Sequence, residues 1–239
     1  MGEPAPIEFG REMGRLVAPL LIGVLGAAVL VSLGVWQVQR LQWKEAVLAE
    51  IGARIVAAPV MVPAAPDPQA DRYLPVSAGG VFGDDVIRVL VSQKGAGAGY
   101  RLISPFVSGG RRMLVDRGFL PVASETPAPP DTTVEVTGNL HWPDEVDGFT
   151  PEADLDANIW FARDVAALAQ ALQTEPVLIV LRERSFQDPG VTPLPVDTSG
   201  IPNDHLEYAV TWFGLAAVWV VMTGYWVMRL LKGRDGKTA

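Results

Sequence analysis

The chain has 239 residues, a formal net charge of −8 and no cysteine, and 49% of its residues are hydrophobic. Without cysteine there can be no disulfide, thiolate zinc site, covalently attached haem or cysteine nucleophile. Residues 40–207 carry 13 basic and 23 acidic side chains. This balance argues against nucleic acid and anionic lipid surfaces as partners of that segment.

Two uncharged apolar runs, residues 16–39 and 208–228, bracket a polar middle. Each has about the 20 residues that a helix needs to cross a hydrocarbon core, so both predict transmembrane helices. A cleaved signal peptide is the alternative for the first run. Its length and the absence of a small-residue cleavage site at residues 36–40 disfavour that alternative.

Cations near the helix ends predict the orientation, because flanking Lys and Arg tend to stay in the cytoplasm. Six lie on the side of the termini, namely Arg11, Arg15, Arg229, Lys232, Arg234 and Lys237. Three lie on the other side, namely Arg40, Lys44 and Arg54. We therefore expect cytoplasmic ends at 1–15 and 229–239. Residues 40–207 would be periplasmic, because no organelle presequence precedes the first helix and a bacterial inner membrane is favoured.

The middle segment begins with helical spacing over residues 37–56, which predicts that the first helix continues past the bilayer. Residues 57–71 hold four prolines and predict a linker or an irregular strand entry. The remaining pattern predicts strands at 74–82, 86–93, 100–107, 112–120, 133–140 and 176–182 and a helix at 163–172. The predicted fold is an α+β membrane protein: two transmembrane helices flank a β-rich antiparallel outer domain with one helix, curled into a barrel or sandwich.

Three segments superficially match catalytic or ligand motifs. The glycines of 95–99 lack the Gly-Lys-Ser/Thr ending of a phosphate loop and predict a hairpin turn. Residues 154–158 imitate a calcium loop, but Ile159 and Val165 stand where it needs Gly and Glu. The acidic cluster could supply paired carboxylates to a hydrolase, yet no other feature supports one, so we predict no enzyme activity.

The two histidines differ in context. His141 ends a predicted strand and is expected to be a half-exposed surface group. His205 precedes the second apolar run, where Asp204 and Glu207 can form a capping box. An aromatic ladder continues from it at seven-residue spacing, with three further residues interleaved: Trp212, Trp219 and Trp226, then Tyr208, Leu215 and Met222.

Small residues predict how the two helices pack. The opposite face of the second helix offers Gly214, Ala217, Val221 and Gly224, and the first helix offers Gly23, Ala27 and Gly34. Antiparallel packing would bring Trp36, Arg40 and Lys44 level with His205, Tyr208 and Trp212. One hypothesis is haem binding, with His205 on the iron and the aromatics and cations around the macrocycle. The alternative is that the tryptophans are interfacial and packing residues.

The sequence also resembles the Surfeit-locus protein one family of cytochrome c oxidase assembly factors. The resembling segments occur in family order along the chain, at residues 33–37, 40, 43–44, 99–106, 114–121, 136–138, 149–152, 158–164 and 203–214. Asp204 stands where many members of the family have asparagine, and Phe119 stands where many have tryptophan.

The resemblance implies a role in maturing the haem-containing oxidase subunit, with transient binding of haem a and His205 as the iron ligand. The resemblance leaves open whether haem A synthase is a second partner and whether the protein forms a homo-oligomer. The predicted cofactor-binding residues are His205, Tyr208, Trp212, Trp36 and Arg40. A cofactor-free scaffold that holds an oxidase subunit is the alternative function, and in that case Trp219 would matter but His205 would not.

Overall fold

The computed structural model describes the backbone of residues 9–235 and the side chains of residues 16–232. The chain divides into two compact units. One is Ala49–Gly200, and the other combines the described parts of Met1–Leu48 and Ile201–Ala239. Each unit is described by itself.

Every predicted strand and the predicted helix of the Ala49–Gly200 unit are present. The elements are β1 (Val60–Met61), β2 (Pro75–Phe82), β3 (Ile87–Gln93), β4 (Gly97–Ser108), β5 (Arg111–Pro121), β6 (Val134–Leu140), β7 (Ile159–Trp160), α2 (Val165–Leu172) and β8 (Leu178–Arg184). The two-residue strands β1 and β7 were not predicted. The hairpin turn between β3 and β4 is confirmed, since Gly95 and Gly97 have φ values of 88° and 81°.

The strands form one sheet in the order β1-β2-β6-β8-β5-β4-β3-β7, and β2 also pairs with β4. That second pairing closes β2, β6, β8, β5 and β4 into a ring. Of the two predicted forms, barrel and sandwich, the structure therefore has the barrel. The sheet is mixed rather than wholly antiparallel, because β1–β2, β3–β7 and β5–β8 are parallel pairs. The connection through α2 makes the β5–β8 pair parallel.

Both faces of β5 are buried, and the side chains alternate between two apolar clusters. Met113 and Val115 join Phe106 and Ile179 in one cluster, whereas Leu114 packs with the residues of α2 in the other. Helix α2 thus covers the face that Leu114 presents. Its start is fixed by Asp164, whose side chain accepts hydrogen bonds from the first-turn amides.

The other unit contains α3 (His205–Asp235) and all but the last turns of α1 (Phe9–Ile55), both of which are long apolar helices. Both are long and apolar enough to cross a membrane, which confirms the two predicted helices. Helix α1 runs without interruption to Ile55, as the helical spacing of residues 37–56 predicts. Of the cations behind the predicted orientation, the side chains of Arg11, Arg15, Arg234 and Lys237 lie outside the described residues.

Candidate functional site

Helices α1 and α3 pack antiparallel, and the glycines of α1 provide the close approach. A Cβ added at Gly23, Gly26 or Gly34 would lie 2.2 to 2.7 Å from the side chains of Thr223, Trp219 and Phe213 respectively. The partner numbers fall as the glycine numbers rise, which defines the antiparallel register. The predicted contact role of Gly23 and Gly34 is therefore confirmed.

The predicted contact face of α3 is wrong. Among the described residues, a Cβ at Gly214 or Gly224 would meet nothing within 4 Å, and Val221 is 70% exposed. The residues of α3 that are buried instead include Ala209 and Ala216. Since α1 already supplies glycines, the facing surface of α3 can carry large side chains that fill the space above them.

Trp219, at the centre of the aromatic ladder, is one of these large side chains. Its indole Nε1–H donates a hydrogen bond of 3.0 Å to the Gly23 carbonyl, and its ring lies against Gly26. A polar indole group within an apolar span is satisfied in this way without water. The packing interpretation therefore accounts for Trp219.

Helix α3 begins at His205, as expected, but without the predicted capping box. The Asp204 carbonyl accepts the first helical bond, 3.2 Å from the Tyr208 amide. Within residues 16–232, neither the Asp204 nor the Glu207 side chain makes the reciprocal capping bonds. The side chain of His205, in the first turn, contacts α1 instead.

His205 is half-buried and reaches across to α1. Its Nδ1 lies 2.8 Å from Oε1 of Gln37, a residue that is only 7% exposed. Among the described residues, no hydrogen bond involves the other ring nitrogen, Nε2. Gln37 was not among the predicted site residues, because its burial against a polar partner becomes visible only in the structure.

The other predicted residues of α1 lie beside this contact. Trp36 and Arg40 are exposed, and the Arg40 guanidinium lies 4.7 Å from the ring centre of Trp43. Successive residues are about 100° apart around a helix, so Trp36 and Arg40 lie on one side of Gln37 and Gly34 lies on the other. Lys44 is about 10 Å further along α1 than Gln37, beyond the level of His205.

The predicted residues of α3 occupy the same side of the helix pair. Phe213 packs against Gly34, so the opposite side of α3 carries Tyr208 and, nearer the interface, Trp212. Tyr208 is exposed and Trp212 is half-buried. Geometry therefore places Trp36, Arg40, Tyr208 and Trp212 on one side of the pair, with the His205 imidazole between the helices.

A site made from several metal ligands is absent from residues 16–232, where no three His, Asp or Glu side chains come together to hold an ion. The calcium-loop resemblance of 154–158 has a local explanation. Asp154 accepts a hydrogen bond from the Ala157 amide and pairs its backbone with Ile159. The arrangement fits the interpretation of these carboxylates as loop residues.

His141 is not a half-exposed surface group. It is 9% exposed, its ring stacks on Tyr73, and no hydrogen bond reaches Nδ1. Burial, reinforced by the nearby charges of Arg163 and Arg72, lowers the pKa of His141 to about 4. This histidine is therefore neutral over the physiological pH range and belongs to the core of the barrel unit.

Two ion-pair systems involve the adjacent charged residues Asp116 and Arg117 of β5. Asp116 accepts from Arg101 at 2.5 Å and from Arg163 at 3.4 Å. Arg117 lies on the other side of the strand and donates to both oxygens of Asp188, at 2.9 and 2.6 Å. These residues stabilise the barrel, and the spacing of single acids and arginines along the chain could not reveal the pairing.

The structure thus combines a barrel unit with a second unit of two long apolar helices, which are candidates for membrane spans and are connected by the contact between His205 and Gln37. The sequence matches the SURF1 family over residues 24–217, which is most of the chain. The protein therefore belongs to the SURF1 family, and the resemblance to this family of cytochrome c oxidase assembly factors is confirmed.

Similar proteins occur in animals, protists and bacteria. Surfeit locus protein 1 of Homo sapiens is 32% identical over 234 residues, covering 86% of this chain and 75% of its own length. A SURF1-like protein of Monosiga brevicollis is 30% identical and covers 84% of each chain. A SURF1-like protein of the bacterium Rickettsia felis is 28% identical, over 84% of this chain and 93% of its own.

Proposed function

We propose that the protein is a cytochrome c oxidase assembly factor that binds haem a at the outer end of its helix pair and passes it to the haem-containing oxidase subunit. The observation that supports this most is the contact between His205 Nδ1 and Gln37, because Nε2 then has no hydrogen-bond partner among the described residues. A neutral imidazole with one nitrogen held and the other available is the usual form of a haem ligand.

The side chains around His205 suit the other parts of the cargo. Tyr208 and Trp36 are exposed aromatic side chains on the same side of the pair, and Trp212 lies between them and the interface. Arg40 offers a cation to carboxylates at the water-facing end. The isoprenoid tail of haem a would stay in lipid along the helices, because moving so many methylene groups into water is costly.

The proposed role is that of a carrier, not an enzyme. A carrier has to release its cargo, and a single histidine ligand favours release over a site with two axial histidines. The protein would act in the bacterial inner membrane with both termini in the cytoplasm and the barrel in the periplasm. Haem A synthase would be the donor, and the haem-containing oxidase subunit the acceptor.

The ligand assignment is tested by replacing His205 with alanine and measuring the molar ratio of haem to protein after purification from cells that make haem a. Glu207→Ala is the matched control, because Glu207 lies in the same helical turn and is not a proposed ligand. We expect haem in the parent and in Glu207→Ala and little in His205→Ala. Equal haem contents in all three would exclude His205 as the ligand.

The alternative is a scaffold without cofactor, and the packing of Trp219 favours it, since the aromatic ladder then needs no ligand to explain it. A scaffold would hold the oxidase subunit through the outer surfaces of the barrel and helices. Trp219→Ala would then reduce oxidase assembly while His205→Ala would not. Absence of haem from the purified parent would favour this function.

A further inference from the structure

We infer that Gln37 is a positioning residue, which fixes the tautomer and the orientation of the His205 imidazole so that Nε2 is the nitrogen presented to iron. The inference rests on the proposed function for the identity of the cargo. Its first part, the tautomer, concerns only the protein. Nothing in the motif that carries His205 points to this role for a residue 168 positions away along the chain.

The chemistry of the contact determines which nitrogen carries the proton. Gln37 Oε1 is a carbonyl oxygen, which accepts hydrogen bonds and cannot donate them. The imidazole nitrogen 2.8 Å away must therefore be the donor, so Nδ1 is protonated. In a neutral imidazole the other nitrogen, Nε2, then has the free lone pair that a metal requires.

The surroundings of Gln37 make the contact specific. It is 7% exposed, on the side of α1 that packs against α3, so water does not compete freely for its amide. The helical backbone of α1 fixes its position, and Gly34, one turn earlier, keeps the two helices close. Histidine ligands in metalloproteins almost always have such a partner on their second nitrogen, and losing it typically lowers metal affinity about 10- to 100-fold.

A hydrogen bond to Nδ1–H also changes the electronic character of the ligand. It makes the imidazole a better electron donor to iron and lowers the reduction potential of the bound group. Gln37→Glu should strengthen this effect, because a carboxylate is a stronger acceptor and, unlike an amide, has no N–H with which to donate. Gln37→Met, which has nearly the same volume, should abolish the effect while preserving the packing of α1.

The tautomer is measured first, in haem-free protein carrying ¹⁵N-labelled histidine. We expect His205 to be protonated at Nδ1 in the parent and in Gln37→Glu, and to show mixed tautomers in Gln37→Met. Gln39→Met is the control, because Gln39 is exposed on the same helix. Protonation at Nε2 in the parent would mean that the amide of Gln37 donates to Nδ1, and would overturn the inference.

Haem retention and the reduction potential are then measured on the same variants. We expect Gln37→Met to lose haem about 10- to 100-fold more readily, Gln37→Glu to retain haem at a lower potential, and Gln39→Met to match the parent. Haem in the parent with unchanged affinity and potential in both Gln37 variants would overturn the positioning role alone. No haem in the parent would overturn the proposed function, even where the Nδ1 tautomer is found.

Discussion

Arg117 and Asp188 form an ion pair that is closed to solvent on both sides: the guanidinium donates from Nε and Nη2 to the two carboxylate oxygens, and the side chains are 0% and 1% exposed. The same arginine also donates to the hydroxyl of Ser104 and the carbonyl of Pro127. Each donor group of a buried charge thereby finds an acceptor, which compensates for the loss of hydration.

Breaking this pair should destabilise the barrel strongly. We expect Asp188→Asn to lower the free energy of unfolding by about 3–5 kcal/mol, because it leaves a buried guanidinium without a counter-charge. Glu183→Gln removes the partner of Arg182 from an exposed pair and should cost at most about 1 kcal/mol. Thermal unfolding of the full-length protein in detergent measures both. Similar losses of unfolding free energy in the two variants would show that the buried Arg117–Asp188 pair contributes no more to stability than the exposed pair does.

The helix pair gives a second prediction, which tests the corrected contact face. Gly34→Leu should separate α1 from α3, since a Cβ there would already lie 2.7 Å from the ring of Phe213. Gly214→Leu should be tolerated, because its position is open. Intramembrane cross-linking between the helices is the measurement. Reduced cross-linking in Gly214→Leu but not in Gly34→Leu would restore the face predicted from the small residues of α3.

The third prediction concerns acid stability. Because the pKa of His141 is lowered to about 4, the unfolded chain binds this proton at a higher pH than the folded protein does. Stability is then fully present above about pH 6.5 and is lost as the pH falls from there toward 4, with a total near 3 kcal/mol.

His141→Gln removes the titrating group and should flatten the dependence of unfolding free energy on pH between about 5 and 6.5. Burial raises the pKa of Glu145, but the bonds from Arg163 outweigh this and lower it. The stabilisation by Glu145 is therefore present above the ordinary glutamate pKa and falls away only below it, outside this pH interval. Equal slopes in parent and variant would contradict the assignment to His141.

Membrane orientation gives the fourth prediction. Reporter fusions after Ala239, which lies outside the described residues, and within the loop at residues 127–130 should report opposite compartments, because the cations concentrate near the termini. The fusion after Ala239 should be active with a cytoplasmic reporter and the loop fusion with a periplasmic one. The same compartment for both positions would refute the two-pass arrangement.

The strands and the membrane helices could be predicted because their signals are local. Alternating apolar residues and glycine turns define β2 to β6, and two uncharged runs define α1 and α3. The parallel pairing of β5 with β8 could not be predicted, since it depends on contacts between residues about 64 positions apart, such as Leu114 with Leu178. Strands β1 and β7 have only two residues each and carry no periodic signal.

For the candidate site, the sequence suggested residues but could not give their geometry. His205 could be recognised from its position before an apolar run, yet the face it occupies could not. Small residues on α3 suggested the wrong side, because one glycine-bearing helix suffices for close packing and the facing helix can carry large side chains. Gln37 gave no signal of its own, since a glutamine becomes informative only when its partner across the interface is known.

The closure of the barrel depends on very few residues. Between β2 and β4 only Val81–Val107 and Phe82–Phe106 pair, whereas β4 follows β5 along nearly its whole length. The ring can therefore open between β2 and β4 while every other pair of neighbouring strands stays hydrogen-bonded. Such an opening would admit water to the inner cluster at almost constant secondary structure. It would be invisible to far-ultraviolet circular dichroism and would appear as rapid amide exchange confined to the residues flanking that line.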